Sequence, residues 1–147
     1  LKNAGIDCNE IEVKSNEVFF LRDNQLIFPV ATKDKLVKKA DGWALDIYVF
    51  SPRPLDDLLI EPNMPKLTLV VKAKECQLAI NDKAYAAASQ NRHEATYKEL
   101  PLLQGWNKIS IKIGERDKNE FSGNFRCDNR NEFLSSLKVM FINPEAK

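Results

Sequence analysis

The sequence predicts an all-β fold, an antiparallel β-sandwich of the jelly-roll type. Residues 108–113 give the clearest indication, because Ile109, Ile111 and Ile113 alternate there with polar residues, as they do along a strand with one face in a core. About nine or ten short segments of this kind follow one another, separated by turn residues. Strands do not alternate with long helical patterns, so a parallel α/β arrangement is not expected. Many short strands at close spacing are typical of sandwiches and jelly rolls.

The first strands are predicted at residues 9–15, 17–22 and 25–30. Asp23 and Asn24 tolerate left-handed backbone angles, so we expect them to form the turn of a hairpin. Pro29 has no amide hydrogen to donate, which disfavours a central position for the strand that contains it. The lysine-rich residues 31–41 are expected to form an exposed loop or one helical turn.

A longer strand is predicted at residues 43–50. One face of it is apolar and comprises Trp43, Leu45, Ile47 and Val49. Tyr48 and Phe50 lie on the opposite face and indicate that this face is partly covered as well. We therefore expect a central strand. Prolines on both sides of residues 55–60 exclude a long helix there and leave a short helix or an irregular crossing.

The remaining strands are predicted at residues 67–73, 76–80, 95–98, 109–113, 121–127 and 137–142. A turn at Asn81-Asp82-Lys83 follows the second of these. Residues 84–89 are rich in alanine and form the best helix-forming stretch of the chain, although a short one. Charged loops are expected at residues 114–120 and 128–132.

Length and charge restrict the class of protein. A chain of 147 residues fits a single domain, residues 1–147, with a real hydrophobic core. The net charge of +1 argues against a nucleic-acid-binding surface, which would need a clustered basic excess. No apolar run approaches the ~20 residues of a membrane-spanning helix. Because Leu1 stands in place of an initiator methionine, we expect a processed chain or a piece of a larger protein.

The cysteines are Cys8, Cys76 and Cys127. They are far apart and accompany a single histidine, which argues against a structural zinc site. Cys76 and Cys127 share strand parity with apolar neighbours and are expected to be small buried hydrophobic residues. The sequence leaves open whether Cys76 and Cys127 form a disulfide in an oxidising compartment.

Residues 67–128 carry an ordered series of motifs. They are the strand at 67–73, the segment 78–83 ending in an Asn-Asp-Lys turn, a variable loop, the stretch 100–113 with Gly105-Trp106-Asn107, and the Phe-Arg-Cys-Asp end of 121–128. In this order the chain resembles the galactose-binding-like jelly rolls and related carbohydrate-binding β-sandwich modules of secreted glycoside hydrolases. In such modules the Gly-Trp-Asn turn is structural. The resemblance implies that Gly105 supplies a permissive backbone angle, that Trp106 covers the end of the core and that Asn107 caps the turn.

The resemblance implies a non-catalytic accessory module of a larger secreted or surface protein, located outside the cell, in the periplasm or on the cell surface. We expect it to bind carbohydrate or to pack on a catalytic domain. The alternative is a structural or protein-interaction β-sandwich without a small-molecule ligand. A carbohydrate-binding module should show a concave patch of aromatic and arginine side chains, whereas a protein-interaction domain should show an exposed apolar patch.

A carbohydrate site needs an aromatic platform and planar polar groups. The best local set flanks one variable loop and comprises Tyr85, Asn91, Arg92, His93 and Tyr97. The competing interpretation is that both tyrosines are half-buried residues of ordinary structure and that Arg92 and His93 are solvated surface.

A second polar set comprises Arg126, Asp128, Asn129, Arg130 and Asn131. It would suit a sugar or a structural calcium ion, and exposed loop polarity explains it equally well. No other cofactor is expected. Asp56 and Asp57, with Glu61, do not make a hydrolytic pair, because adjacent residues in a strand point to opposite faces. We therefore expect no catalytic residues in this domain.

Overall fold

The computed structural model describes residues 20–22, 24–28, 36–55 and 64–140. The described strands are β1 (Phe20–Arg22), β2 (Gln25–Phe28), β3 (Val37–Lys39), β4 (Gly42–Ser51), β5 (Thr68–Val71), β6 (Cys76–Ile80), β7 (Lys83–Tyr85), β8 (Ser89–Gln90), β9 (Ala95–Tyr97), β10 (Gly105–Ile113), β11 (Gly123–Arg126) and β12 (Lys138–Met140). Two 3-10 helices, Glu115–Glu120 and Asn131–Ser136, complete the described elements.

The strands form two antiparallel sheets. The first sheet has the order β1-β2-β11-β5-β9-β8 and the second has the order β12-β4-β10-β6-β7, with β3 also paired to β4. The prediction of an all-β antiparallel sandwich is thereby confirmed. The jelly-roll connectivity is a finer statement and stays a prediction.

The second sheet is built around β4 and β10, which pair from Gly105 opposite Ser51 to Ile113 opposite Trp43. β6 pairs with the other side of β10, and β12 with the other side of β4. The predicted central position of β4 is therefore confirmed. The period of two predicted for β10 is also observed, since Ile109, Ile111 and Ile113 are all buried.

One hydrophobic core lies between the two sheets. The second sheet contributes Ile47 and Ile109, and the first contributes Leu69 and Phe125. β5 is buried along its whole length, because Val70 on its outer face is covered as well. Burial of apolar area at roughly 25 cal/mol per Å² is the main force that holds the two sheets together.

Several local predictions differ from the structure. The alanine-rich residues 84–89 contribute to β7 and β8 and form no helix, because so short a segment cannot repay helix nucleation whereas β6 and β9 offer it strand partners. The predicted loop at 114–120 contains the first 3-10 helix. Part of the lysine-rich segment forms β3, which pairs with β4. The predicted strand at 9–15 and the crossing at 56–60 lie outside the described residues.

Candidate functional site

The turn before β10 is held by the side chain of Asn107, which is 1% exposed. Its amide nitrogen donates to the carbonyl oxygens of Leu103 at 2.8 Å and Gly105 at 3.1 Å. Its amide oxygen accepts from the backbone N–H of Leu103 at 2.8 Å and from the side-chain amide of Asn81 at 2.9 Å. Gly105 has a φ of 99°, which glycine adopts at little cost. The structural roles predicted for Gly105 and Asn107 are confirmed.

Trp106 occupies a different place from the one predicted. It is buried, but it stands on the outer face of the second sheet and does not belong to the main core. Its ring packs edge-on against Phe50, with 5.6 Å between the ring centroids. Among the described residues its indole N–H has no hydrogen-bond partner. Trp106 therefore covers the sheet from outside and does not cap the end of the core.

A groove with a volume of about 590 Å³ opens beside this turn. The β6–β7 hairpin lines one side of it and residues 97–103 line the other. Two of the residues that line the groove donate to the Asn107 side-chain oxygen, Asn81 in the hairpin turn and Leu103 on the other side. The buried amide therefore connects the two sides of the groove at this point. Leu103 is 64% exposed, so apolar surface faces solvent there.

Tyr85 supplies an aromatic ring to this groove. It is half-buried at the end of β7, and the ammonium group of Lys83 lies 5.6 Å from its ring centroid. The polar groups on the opposite rim belong to Lys98 and Glu99, which are both exposed. Glu99 pairs with Lys66 at 3.5 Å. The groove thus combines one aromatic face with charged groups at its edge.

Tyr97 also lines the groove, but from the core side. Its side chain is 2% exposed and its hydroxyl donates to the carbonyl oxygen of Cys76 at 3.3 Å, which joins the two sheets. Burial raises the pKa of the Tyr97 phenol. Its ring is therefore part of the wall, and the expectation that it serves as an exposed platform is corrected.

The loop after β8 is organised by Asn91. Its side-chain oxygen accepts from the backbone N–H groups of His93 at 2.7 Å and Glu94 at 2.9 Å. Such a side-chain turn is the usual structural use of asparagine in a loop. Asn91 consequently shapes the loop that carries Arg92 and His93, both of which are exposed and do not line the groove.

Arg92 and His93 line a second depression, with a volume of about 550 Å³. Its other lining residues are Lys72, Ala73, Lys74, Glu94, Arg116, Asp117 and Asn119. This depression shares no lining residue with the groove. The predicted set is thus divided: Tyr85 and Tyr97 meet in the groove, and Arg92 and His93 meet in the depression, while Asn91 lines neither.

Asp117 fixes the wall of this depression. Its carboxylate accepts from the backbone N–H groups of Lys74 at 3.0 Å, Glu75 at 3.1 Å and Gly114 at 3.2 Å. Among the described residues it is the one charged residue that is buried. The first 3-10 helix is therefore anchored to the turn before β6. Sequence reasoning missed this contact, because Asp117 and Lys74 are 43 residues apart and no local pattern connects them.

The second predicted polar set serves the local structure. Arg126 pairs with Asp128 at 3.2 Å. The side chain of Asn129 accepts from the backbone N–H of Lys66 at 3.0 Å and donates to the carbonyl oxygen of Met64 at 2.8 Å. In the part of the chain that the structure describes, no group of three or more His, Cys, Asp or Glu side chains could hold a metal ion. Arg130 pairs with Glu132 and is the N-cap residue of the second 3-10 helix, Asn131–Ser136.

The described cysteines are buried to different extents. Cys127 is fully buried and Cys76 is half-buried against the core, and both are free thiols. Burial raises the pKa of both thiols, which disfavours the reactive thiolate. They behave as hydrophobic residues, as predicted. Cys8, Asp56, Asp57 and Glu61 lie outside the described residues.

We compared the chain with models of protein families, with curated proteins and with solved structures, and nothing matched it. The resemblance to galactose-binding-like modules therefore stays a prediction. The described residues contain no helix with the length and apolar character that crossing a membrane requires. The groove and the depression are accordingly defined by their geometry alone.

Proposed function

We propose that this domain is a non-catalytic accessory module of a larger secreted or surface carbohydrate-active protein, with a galactose-binding-like jelly-roll fold, and that it binds carbohydrate in the groove beside Tyr85. The observation that carries the proposal is the groove itself. Its volume of about 590 Å³ lies within the usual range of ligand sites. The parent protein would be extracellular, periplasmic or attached to the cell surface.

The chemistry of the groove supports a sugar ligand. A pyranose ring has an apolar face that packs on an aromatic ring and hydroxyl groups that need polar partners around the rim. Tyr85 offers the ring, and Lys98 and Glu99 offer a donor and an acceptor on the opposite side. Since Asn107 ties the hairpin turn to Leu103 before any ligand binds, little conformational entropy would be lost at these two residues on binding.

The same groove gives no support to hydrolysis. Retaining and inverting glycosidases both use a pair of carboxyl groups across the scissile bond. Among the described residues that line the groove, Glu99 is the one with a carboxylate, and it is engaged with Lys66. A binding role fits this composition better than catalysis.

The alternative function is packing against a catalytic domain or another protein. The observation that favours it is the exposed apolar side chain of Leu103, at the rim of the groove. A protein partner would cover Leu103 and Tyr85 together. Binding of a free glycan would not require Leu103.

A glycan array with the 147-residue chain, followed by calorimetry on each hit, tests the proposal. We expect saturable binding that Tyr85→Ala weakens about tenfold or more, because the stacking contact is lost. Tyr48→Ala is the matched control, since Tyr48 is half-buried on the outer face of β4 and does not line the groove. An empty array, or equal weakening by both substitutions, would contradict carbohydrate binding in the groove. Weakening of a protein contact by Leu103→Ser would favour the alternative.

A further inference from the structure

The second depression is positively charged. Four permanently cationic side chains line it, those of Lys72, Lys74, Arg92 and Arg116. Glu94 and Asp117 are the carboxylates among its lining residues, so the cations are in excess. For a chain whose net charge is +1, this is a local concentration of charge. His93 and Asn119 add further polar groups to the same surface.

No carboxylate in the part of the chain that the structure describes forms an ion pair with these cations. Elsewhere in the described chain six cations pair with carboxylates, in Lys38–Glu115, Lys66–Glu99, Lys108–Asp82, Lys112–Asp41, Arg126–Asp128 and Arg130–Glu132, whereas lysines such as Lys39 and Lys83 are unpaired but line no common depression with one another. Within the same described residues, Lys72, Lys74, Arg92 and Arg116 form no salt bridge. Their charges are therefore available to a ligand.

Asp117 does not cancel this charge by direct contact. Its carboxylate oxygens already accept from three backbone N–H groups, including that of Lys74. The carboxylate is buried behind the surface, whereas Arg92 and Arg116 are exposed. Asp117 thus holds the loop that carries Arg116 against the turn that carries Lys74. The cations stand on backbone that is fixed before any ligand arrives.

We propose that this depression binds the sulfate or carboxylate groups of an acidic saccharide. The planar guanidinium groups of Arg92 and Arg116 match the paired oxygens of such groups, and Lys72 and Lys74 add point charges beside them. The volume of about 550 Å³ would admit a short stretch of such a chain. That the anion is carried by a saccharide rests on the proposed function, while the anion site itself rests on the cations described above.

Binding of dextran sulfate and of uncharged dextran, which share one backbone, tests the inference by calorimetry with the full chain. We expect dextran sulfate to bind, uncharged dextran not to bind, and binding to weaken severalfold between about 50 and about 300 mM NaCl. The double substitution Arg92→Gln and Arg116→Gln should weaken binding about tenfold or more. Lys108→Gln with Lys112→Gln removes the same charge away from the depression and should leave binding within about twofold.

Polygalacturonate and a single-stranded oligonucleotide complete the design. Polygalacturonate should bind at the same residues, and the oligonucleotide should bind at least about tenfold more weakly than dextran sulfate. No binding of either acidic glycan, equal effects of the two double variants, or an oligonucleotide that binds as tightly would each overturn the inference. Tyr85→Ala separates this inference from the proposed function, because it should weaken neutral-glycan binding and leave dextran sulfate binding unchanged.

Discussion

The side-chain amide of Asn81 donates a hydrogen bond to the side-chain oxygen of Asn107, with 2.9 Å between the two atoms. This bond connects the turn of the β6–β7 hairpin to the turn that begins β10. Asn81 also accepts from the backbone N–H of Lys108 at 2.9 Å, so its side chain is held at both ends. The two asparagines therefore join the two turns beside the groove.

Asn107→Ala should lower the free energy of unfolding by about 3 kcal/mol, because it removes several buried hydrogen bonds and leaves the backbone of Leu103 and Gly105 without partners. Urea unfolding followed by tryptophan fluorescence would measure this change. Asn124→Ala is the control, since the half-buried Asn124 makes one side-chain bond, to Gln25 at 2.6 Å, and should cost about 1 kcal/mol. Equal losses in the two variants would contradict the role of Asn107.

Asp117→Ala should destabilise the protein by about 2 kcal/mol or more, because three backbone N–H groups lose their charged acceptor. Hydrogen exchange should also speed up at the amides of Lys74 and Glu75. Asp128→Ala removes an exposed carboxylate that pairs with Arg126, and it should change stability by less than about 1 kcal/mol. Unchanged exchange at residues 74 and 75 in Asp117→Ala would show that the carboxylate does not hold this turn.

Gly42→Ala should destabilise the second sheet at the start of β4. A Cβ atom at this position would lie 2.2 Å from the carbonyl oxygen of Ile113, so the pairing of β4 with β10 would have to shift. We expect a loss of about 2 kcal/mol or more in thermal or urea unfolding. Gly114→Ala should cost less, because its Cβ would meet a side-chain oxygen of Asp117 at 3.1 Å. A neutral Gly42→Ala would argue against this strand register.

Stability should fall at alkaline pH. Burial raises the pKa of Cys76, Cys127 and Tyr97 in the folded protein above the ordinary values of 9.0 for the thiols and 10.0 for the phenol. The unfolded chain therefore loses these protons first. The contribution of these three groups to stability is therefore complete below pH 9.0, and it is lost as the pH rises through their folded-state pKa values. Urea unfolding between neutral and strongly alkaline pH measures the slope.

The variant with Cys76→Ala, Cys127→Ala and Tyr97→Phe provides the control for this pH dependence. It should be less stable at neutral pH, because core volume and the bond from Tyr97 to the Cys76 carbonyl are lost. Its stability should nevertheless change less with rising pH. If the stability of the variant falls with rising pH as steeply as that of the unmodified chain, groups other than these three cause the pH dependence.

Those parts of the fold that depend on residues adjacent in sequence could be predicted. The alternation at Ile109 and Ile113 predicted an inward face, because the pleat of a strand enforces a period of two. The resemblance implied that Asn107 caps its turn, and the observed bonds agree with the readiness of asparagine to bond to nearby backbone. The alanine-rich segment was misjudged because sheet partners distant in sequence decided its conformation.

The candidate site was harder to predict because it depends on which sheet faces which loop. Tyr85 and Arg92 are close in sequence, yet between them the chain passes from β7 in the second sheet to β8 in the first, and the two residues line separate cavities. Arg92 and Arg116 are distant in sequence, yet they line one depression. Parity with the buried Ala95 was a usable signal that Tyr97 points inward.

The central claim is tested most directly by an NMR titration, in which amide chemical shifts are followed while a neutral glycan that binds the chain is added. We predict that the largest shifts occur in the β6–β7 hairpin around Tyr85 and in residues 98–103, and that Arg92 and Arg116 are unaffected. Shifts concentrated on the outer face of the second sheet, around Tyr48 and Trp106, would contradict a carbohydrate site in the groove.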